Sequence, residues 1–164
     1  MKPRVKNLLL VLVLAILTVL PSTRAVSQEY EAMKGVKSVR TVFDFRVGDP
    51  KMMSGHLDLI HSMMSAPGMM KGGKPPEIVV VFIGPSVKLI TKGGAEGAGE
   101  KSKAIAGKIA AMRKDGVRFE VCMTAAHAFD VAAESLLPDI VQVGNGWISV
   151  IGYQQRGFSL VSDF

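Results

Sequence analysis

The stretch "EIVVVFIG", Glu77 to Gly84, holds an unbroken apolar run from Ile78 to Ile83. A strand with one wet face alternates apolar and polar residues, whereas a strand covered on both faces reads as a continuous apolar run. The run therefore predicts a central strand. Before it lies "SAPGMMKGGKPP" (Ser65 to Pro76), a Gly/Pro-rich loop, and after it "PSVKLIT" suggests a short helix.

Upstream, "SVRTVFDF" (Ser38 to Phe45) is rich in β-branched and aromatic residues and reads as a first strand. "VGDP" follows, with Asp49 placed to cap a helix and Pro50 at its first position. That helix is predicted to run to about Ser65, because Met53, Leu57, Ile60 and Met64 recur at helical spacing and make one apolar stripe. Downstream, "KGGAEGAGEK" (Lys92 to Lys101) is a second loop, and "SKAIAGKIAAMRKDG" reads as a helix ending at Gly116 with basic residues in its last turn. "VRFEVC" is a third strand. "TAAHAFDVAAESLLP" predicts a helix with Thr124 as its cap and Pro138 just past its end. "DIVQVG" is a fourth strand, "NGWISVIGYQQRG" a helix and "FSLVS" a fifth strand. Strand and helix in alternation predict an α/β domain, with a mainly parallel five-stranded sheet and helices on both faces. No repeat of 20–50 residues and no second domain is visible.

The first residues read as a leader. Lys2, Arg4 and Lys6 precede an apolar run from Leu8 to Leu20, Pro21 breaks it, and Thr23 and Ala25 suit a cleavage site. This is the layout of a secretory signal peptide, and a membrane-spanning helix would need about 20 apolar residues. The expected organisation is a signal peptide over 1–25, a flexible lead-in over 26–35 and the α/β domain over 36–164. The expected location is periplasmic or secreted, with no membrane association after cleavage. Loss of Lys2, Arg4, Lys6 and Arg24 takes the formal charge from +6 to +2, so the basic balance belongs largely to the leader. The remainder has no Lys/Arg cluster interleaved with aromatics, which argues against nucleic acid as a partner.

In an open parallel sheet, ligands bind at the carboxyl ends of the strands. Three strand ends arrive there: "GPSV" from Gly84, "CMT" from Cys122 to Thr124, and "GNGW" from Gly144. Cys122 is the only cysteine, so in an oxidising compartment it cannot form an internal disulfide. It is a functional thiol, a small buried residue, or a partner in a disulfide between chains. Free N–H groups at a following helix start, near Thr124, would favour an anionic sulfur. Gly84 and Gly144 would let backbone approach a small anion or sulfur species, although glycines here, Gly146 included, are also ordinary turn chemistry. "GNG" lacks the spacing of a dinucleotide fingerprint, and no cofactor is expected. His127 lies one turn further on and could reach the thiol, or could be a plain exposed helix residue.

A second signal is "KMMSGHLDLIHSMMSAPGMMKGG", with six Met and two His. Soft thioethers with imidazoles suit Cu(I), and Met52, His56 and Met63 fall within about 40° of one another on a helical wheel. The simpler reading is an apolar core stripe, with Met69 and Met70 covering a pocket or an oligomer interface.

From about Val36 onward the chain resembles the DsrE/DsrF-like family of sulfur-relay proteins. The resemblance is carried by "VFDFRVGDP", "EIVVVFIGPSVKLI", "GVRFEVC" and "LLPDIVQVGNGWISVIGYQQRGFSLV", in that order. It implies a small, largely parallel five-stranded α/β domain assembled as trimers or hexamers. It also implies that a cysteine after the third strand takes up a persulfide and passes it to a partner protein. Cys122 stands at the matching position. The function expected is therefore an exported sulfur carrier or sulfur-responsive protein, at most a sulfurtransferase-like relay, with donor and acceptor unknown. The alternatives are a non-catalytic oligomeric binding module with Cys122 buried, and a periplasmic Cu(I) protein using residues 52–70.

Overall fold

The computed structural model describes residues 30–93 and 99–163. The leader read at 1–25, the start of the lead-in and the middle of the loop expected over 92–101 lie outside the described residues. The central strand is the one "EIVVVFIG" predicts. β2 (Glu77–Phe82) is third in a five-stranded sheet of order β4-β3-β2-β1-β5, with β1 at Arg40–Phe45, β3 at Arg118–Cys122, β4 at Val141–Val143 and β5 at Ser159–Asp163. Every pairing is parallel. Val80, Val81 and Phe82 are fully buried, each side chain contributing roughly 1.5–3 kcal/mol relative to exposure.

Successive strand residues face opposite sides. On one side, Phe45 meets the His56 ring edge-on, Phe82 packs on Phe45, and Phe119 stacks on Phe82. This side carries α1 (Pro50–Met63) and α2 (Gly99–Lys114). The Asp49 carboxylate accepts the Met52 N–H at 2.8 Å, so the expected cap is in place. Met53, Leu57, Ile60 and Met64 are all buried, as their spacing predicts, and Ile105, Ile109 and Met112 are buried on α2. Lys108 of α2 bonds Asp58 and the Ser54 carbonyl of α1, and His61 meets Asp115 at 2.6 Å. The other side is covered by α4 (Gly146–Gln155), which crosses from β4 at one edge to β5 at the other.

The short helix expected after β2 is present as a 3-10 helix, Gly84–Leu89, which Gly84 opens at φ +64. A larger difference concerns the helix expected over 124–138. The observed α3 is Met123–Ala128, and its cap is Cys122, not Thr124. Asp130 turns left-handed at φ 55, and the Val131 N–H closes back on the Ala126 carbonyl at 2.8 Å. Beyond it the chain pairs with residues after the 3-10 turn: Leu136 bridges Thr91, and Leu137 N–H donates to the Ile90 carbonyl. The apolar Leu136 is buried by that pairing, which outweighs the helical propensity of "VAAESLL".

Part of the expected lead-in is described. Residues 31–33 form a 3-10 turn, Lys71 Nζ donates to the Met33 carbonyl, and Gly68 lies against the Tyr30 ring. Among the described residues no helix is long and apolar enough to cross a membrane.

Candidate functional site

The pairings Phe45↔Phe82 and Phe82↔Val121 fix what happens one residue later. Arg46, Ile83 and Cys122 fall in one row across the carboxyl edge, on the face that α4 covers. Two strand spacings, about 10 Å, separate the ends of that row. Arg46 is fixed by Asp44 in a two-pronged pair, Nε to Oδ1 at 2.9 Å and Nη2 to Oδ2 at 2.8 Å. Its Cζ lies 5.6 Å from the Trp147 ring. The Arg46 pKa is raised above its ordinary value, first by the Asp44 hydrogen bond against the opposing effect of burial, then by the charges of Asp44 and the Cys122 sulfur.

Cys122 ends β3 and caps α3. Its Sγ accepts the Ala125 N–H at 3.4 Å, and the residue is 4 % exposed. α3 spans only six residues, so the aligned dipole behind the sulfur is short. The cover is α4. A Cβ built at Gly146 would stand 2.9 Å from Cys122 Cβ and from Ile83 Cδ1 and Cγ1, so only glycine allows that approach. Asn145 sets the helix start by accepting the Trp147 N–H at 2.9 Å.

The residues that the sequence singles out are brought to this edge in different ways. Thr124 does not offer its N–H to a ligand: its N–H and Oγ1 both donate to the Gly144 carbonyl, at 3.0 and 2.8 Å. They tie the start of α3 to the turn that enters α4. A Cβ at Gly144 or Gly84 would meet nothing within 4 Å, so neither is a point of close approach, and Gly84 is required by its positive φ. His127 is exposed on the last turn of α3, while the Sγ partner is the Ala125 N–H.

One row below, Asp44, Val81 and Glu120 align in the same way. Glu120 is 2 % exposed, yet it is fully partnered: Oε1 accepts Tyr153 Oη at 2.7 Å and Arg118 Nε at 2.8 Å, and Oε2 accepts the Ser149 hydroxyl. Burial pushes its pKa up, but the bonds from Ser149, Tyr153 and Arg118 outweigh this and leave it lowered. Tyr153 is pushed up to about 12, by burial first and then by Glu120. Arg118 is raised chiefly by its bond to Glu120. Sequence reasoning passed over Arg46, Asp44, Glu120 and the close approach at Gly146. A carboxylate inside the apolar strand "RFEVC", and the i, i+2 pair in "DFR", are the signals that could have pointed to them.

Of the methionine–histidine set, His56 and Met63 share a cleft of about 180 Å³ whose other walls include Phe43, Leu59, Ile60 and Val161; Met52 does not line it. Met70 lines a separate cleft with His61, Met64 and Asp115. Among the described residues no group of three His, Cys, Asp or Glu side chains could hold a metal ion.

The fold is shared with solved structures. One is a protein of unknown function, MTH1491, from Methanobacterium thermoautotrophicum: 17% identity, 77% of this chain and 100% of that one, TM-score 0.62. Another is the ychN protein from E. coli: 11% identity, 77% of this chain and 99% of that one, TM-score 0.55. No curated protein matches the chain. The sequence model of the DsrE/DsrF-like family matches residues 50–162, from the first residue of α1 to within β5 and across Cys122. That match covers more than half of the chain, and the solved structures share its fold: the chain belongs to the DsrE/DsrF-like family.

Proposed function

We propose that this is an exported sulfur carrier in which Cys122 takes up a sulfane sulfur as a persulfide and passes it to an acceptor thiol. The observation that carries the reading is the place of the chain's sole thiol: at the carboxyl end of β3, held by an N–H, in the same row as Arg46. Family membership associates the fold with sulfur relay. In uptake, the Cys122 thiolate attacks the outer sulfur of a donor R–S–SH. A bond forms between Cys122 Sγ and that outer sulfur, the donor's own S–S bond breaks, and RS⁻ leaves with the electron pair. In release, an acceptor thiolate attacks the outer sulfur and the electron pair returns to Sγ, so no external oxidant is needed. Arg46 supplies the counter-charge for the anionic outer sulfur, and Gly84 and Gly144 border the space. The Thr124–Gly144 tie anchors the turn that must shift to admit a donor. The donor and acceptor are other proteins or small sulfur compounds, and the carrier works as a homo-oligomer of three or six copies.

Intact-mass spectrometry after polysulfide treatment tests this. The folded protein should gain about 32 Da, one sulfur atom, lose it on adding a thiol, and gain nothing as Cys122→Ser. The 4 % exposure of Cys122 favours a second reading, a non-catalytic binding module in which the thiol only fills space. If the folded protein resists both polysulfide and iodoacetamide, that second reading stands and the carrier is excluded.

A further inference from the structure

The opposite, amino edge of the sheet holds a cleft of about 260 Å³ between the starts of β2 and β3 and the end of α4. Arg118, Arg156, Tyr153, Phe158, Glu77 and Gly116 are among its walls. Its volume equals that of roughly eight or nine waters at about 30 Å³ each, enough for a small organic acid.

The charges around it have distinct duties. Arg40 bonds Glu77 through Nε at 3.3 Å and donates Nη1 to the Arg156 carbonyl at 2.7 Å, with its Cζ 4.3 Å over the Phe158 ring. The end of α4 is thus capped by Arg40, and Glu77 is already engaged. Arg118 holds the buried Glu120. Arg156 remains. Its Cζ lies 5.4 Å from the Tyr153 ring and 5.9 Å from the Phe158 ring, and among the described residues its guanidinium has no carboxylate partner. Both rings lie within cation–π range of that guanidinium, a contact that does not use its N–H donors. Three arginines against two carboxylates leave the cleft net positive. Gly116, at φ +95, puts no side chain into it. A guanidinium with no carboxylate partner among the described residues, beside a second guanidinium and an aromatic wall, suits an oxyanion.

We propose that this cleft binds a small acid through its oxyanion head group, with Arg156 as the principal donor and Arg118 beside it. Carboxylate, sulfate and phosphate share this chemistry. The site lies at the other edge of the sheet from Cys122, and its occupancy does not depend on sulfur transfer.

The test is a titration of the whole protein with citrate, sulfate and inorganic phosphate in turn, followed by two-dimensional amide and arginine Nε NMR. At least one probe should bind saturably in the millimolar range or tighter, moving the Gly116, Arg118 and Arg156 signals together. The probe that binds identifies the head group. Arg156→Gln should weaken binding about tenfold, as expected for loss of one charge-assisted hydrogen-bonding group. Arg156→Lys, which keeps charge but not the fork, should restore binding only in part. Arg46→Gln, at the other edge, should change nothing. No saturable binding of any probe below about 20 mM, or a loss of less than threefold in Arg156→Gln, overturns the proposal; a loss of threefold or more upholds it. Near-UV circular dichroism of Arg156→Gln and Arg156→Lys confirms that both variants are folded.

Discussion

Gly146 is where helix and sheet come closest to the thiol. Alanine at a helical position ordinarily stabilises relative to glycine, by about 1 kcal/mol. Here the added methyl would stand 2.9 Å from Cys122 Cβ and from Ile83 Cδ1 and Cγ1, and of these only Cδ1 ends its side chain. Gly146→Ala is therefore expected to lower stability by about 1–3 kcal/mol in urea unfolding, the usual cost of overpacking. It should also speed alkylation of Cys122 by lifting the helix start. A stabilised variant would mean that the close approach does not exist in solution. Arg46 makes a separate prediction, because a cation fixed by Asp44 in the same row as Cys122 selects among incoming reagents by charge. Iodoacetate should gain on iodoacetamide at Cys122, and Arg46→Gln should reduce that ratio about fivefold, or roughly 1 kcal/mol of charge–charge interaction. Arg46→Lys should retain most of it. A general loosening of the fold would accelerate both reagents alike and leave the ratio untouched.

At the scale of elements, α4 is fastened to β3 by one buried carboxylate and two hydroxyls. Glu120 has a folded pKa below its ordinary 4.5, so its contribution is complete above that value and is lost as pH falls through the lower folded one. Tyr153 has a folded pKa raised from 10.0 to about 12, so its contribution is complete below 10 and is lost as pH rises towards 12. Urea unfolding against pH should show stability falling at both ends. Glu120→Gln should flatten the acid limb and shrink the alkaline one, because burial alone would then hold Tyr153 up. If the acid limb survives unchanged in Glu120→Gln, another carboxylate sets it. The short α3 belongs to this scale too. Its "AFDV" exit carries no glycine, and Asp130 takes the left-handed turn instead, which a single polar residue with a short side chain tolerates. The apolar spacing beyond it looked helical because Leu136 is buried, but it is buried against Thr91 and Ile90, residues far away in sequence.

The whole molecule shows which relations a linear pattern carries. β2, α1 and the end of β3 could be read directly, since each is written in local periodicity or in adjacent cap residues. So could the position of Cys122 at a strand end. The row of Arg46, Ile83 and Cys122 could not, because it depends on which strands are neighbours and in what register, and no local spacing encodes either. Gly146 stood in the sequence as one of several turn glycines. Only the crossover of α4 over the sheet makes it the one that touches the thiol. Asp44, Arg46 and Glu120 were hidden for the same reason: each finds its partners, or its row, through the sheet.

The order β4-β3-β2-β1-β5 also sets a timetable. β1 emerges early from the ribosome, but its outer neighbour is the last strand made, with Thr41 waiting for Ser159. Until residues beyond 145 follow, neither α4 nor β5 exists to cover the thiol or close the β1 edge. Pairings of such wide sequence separation also form slowly, since their loop-closure entropy is met before the contacts return it. The newborn chain therefore carries its one cysteine uncovered from the time residue 122 is made until the helix that starts at Gly146 is made and docks. Chaperones and reductants meet Cys122 in that interval, before the fold covers it.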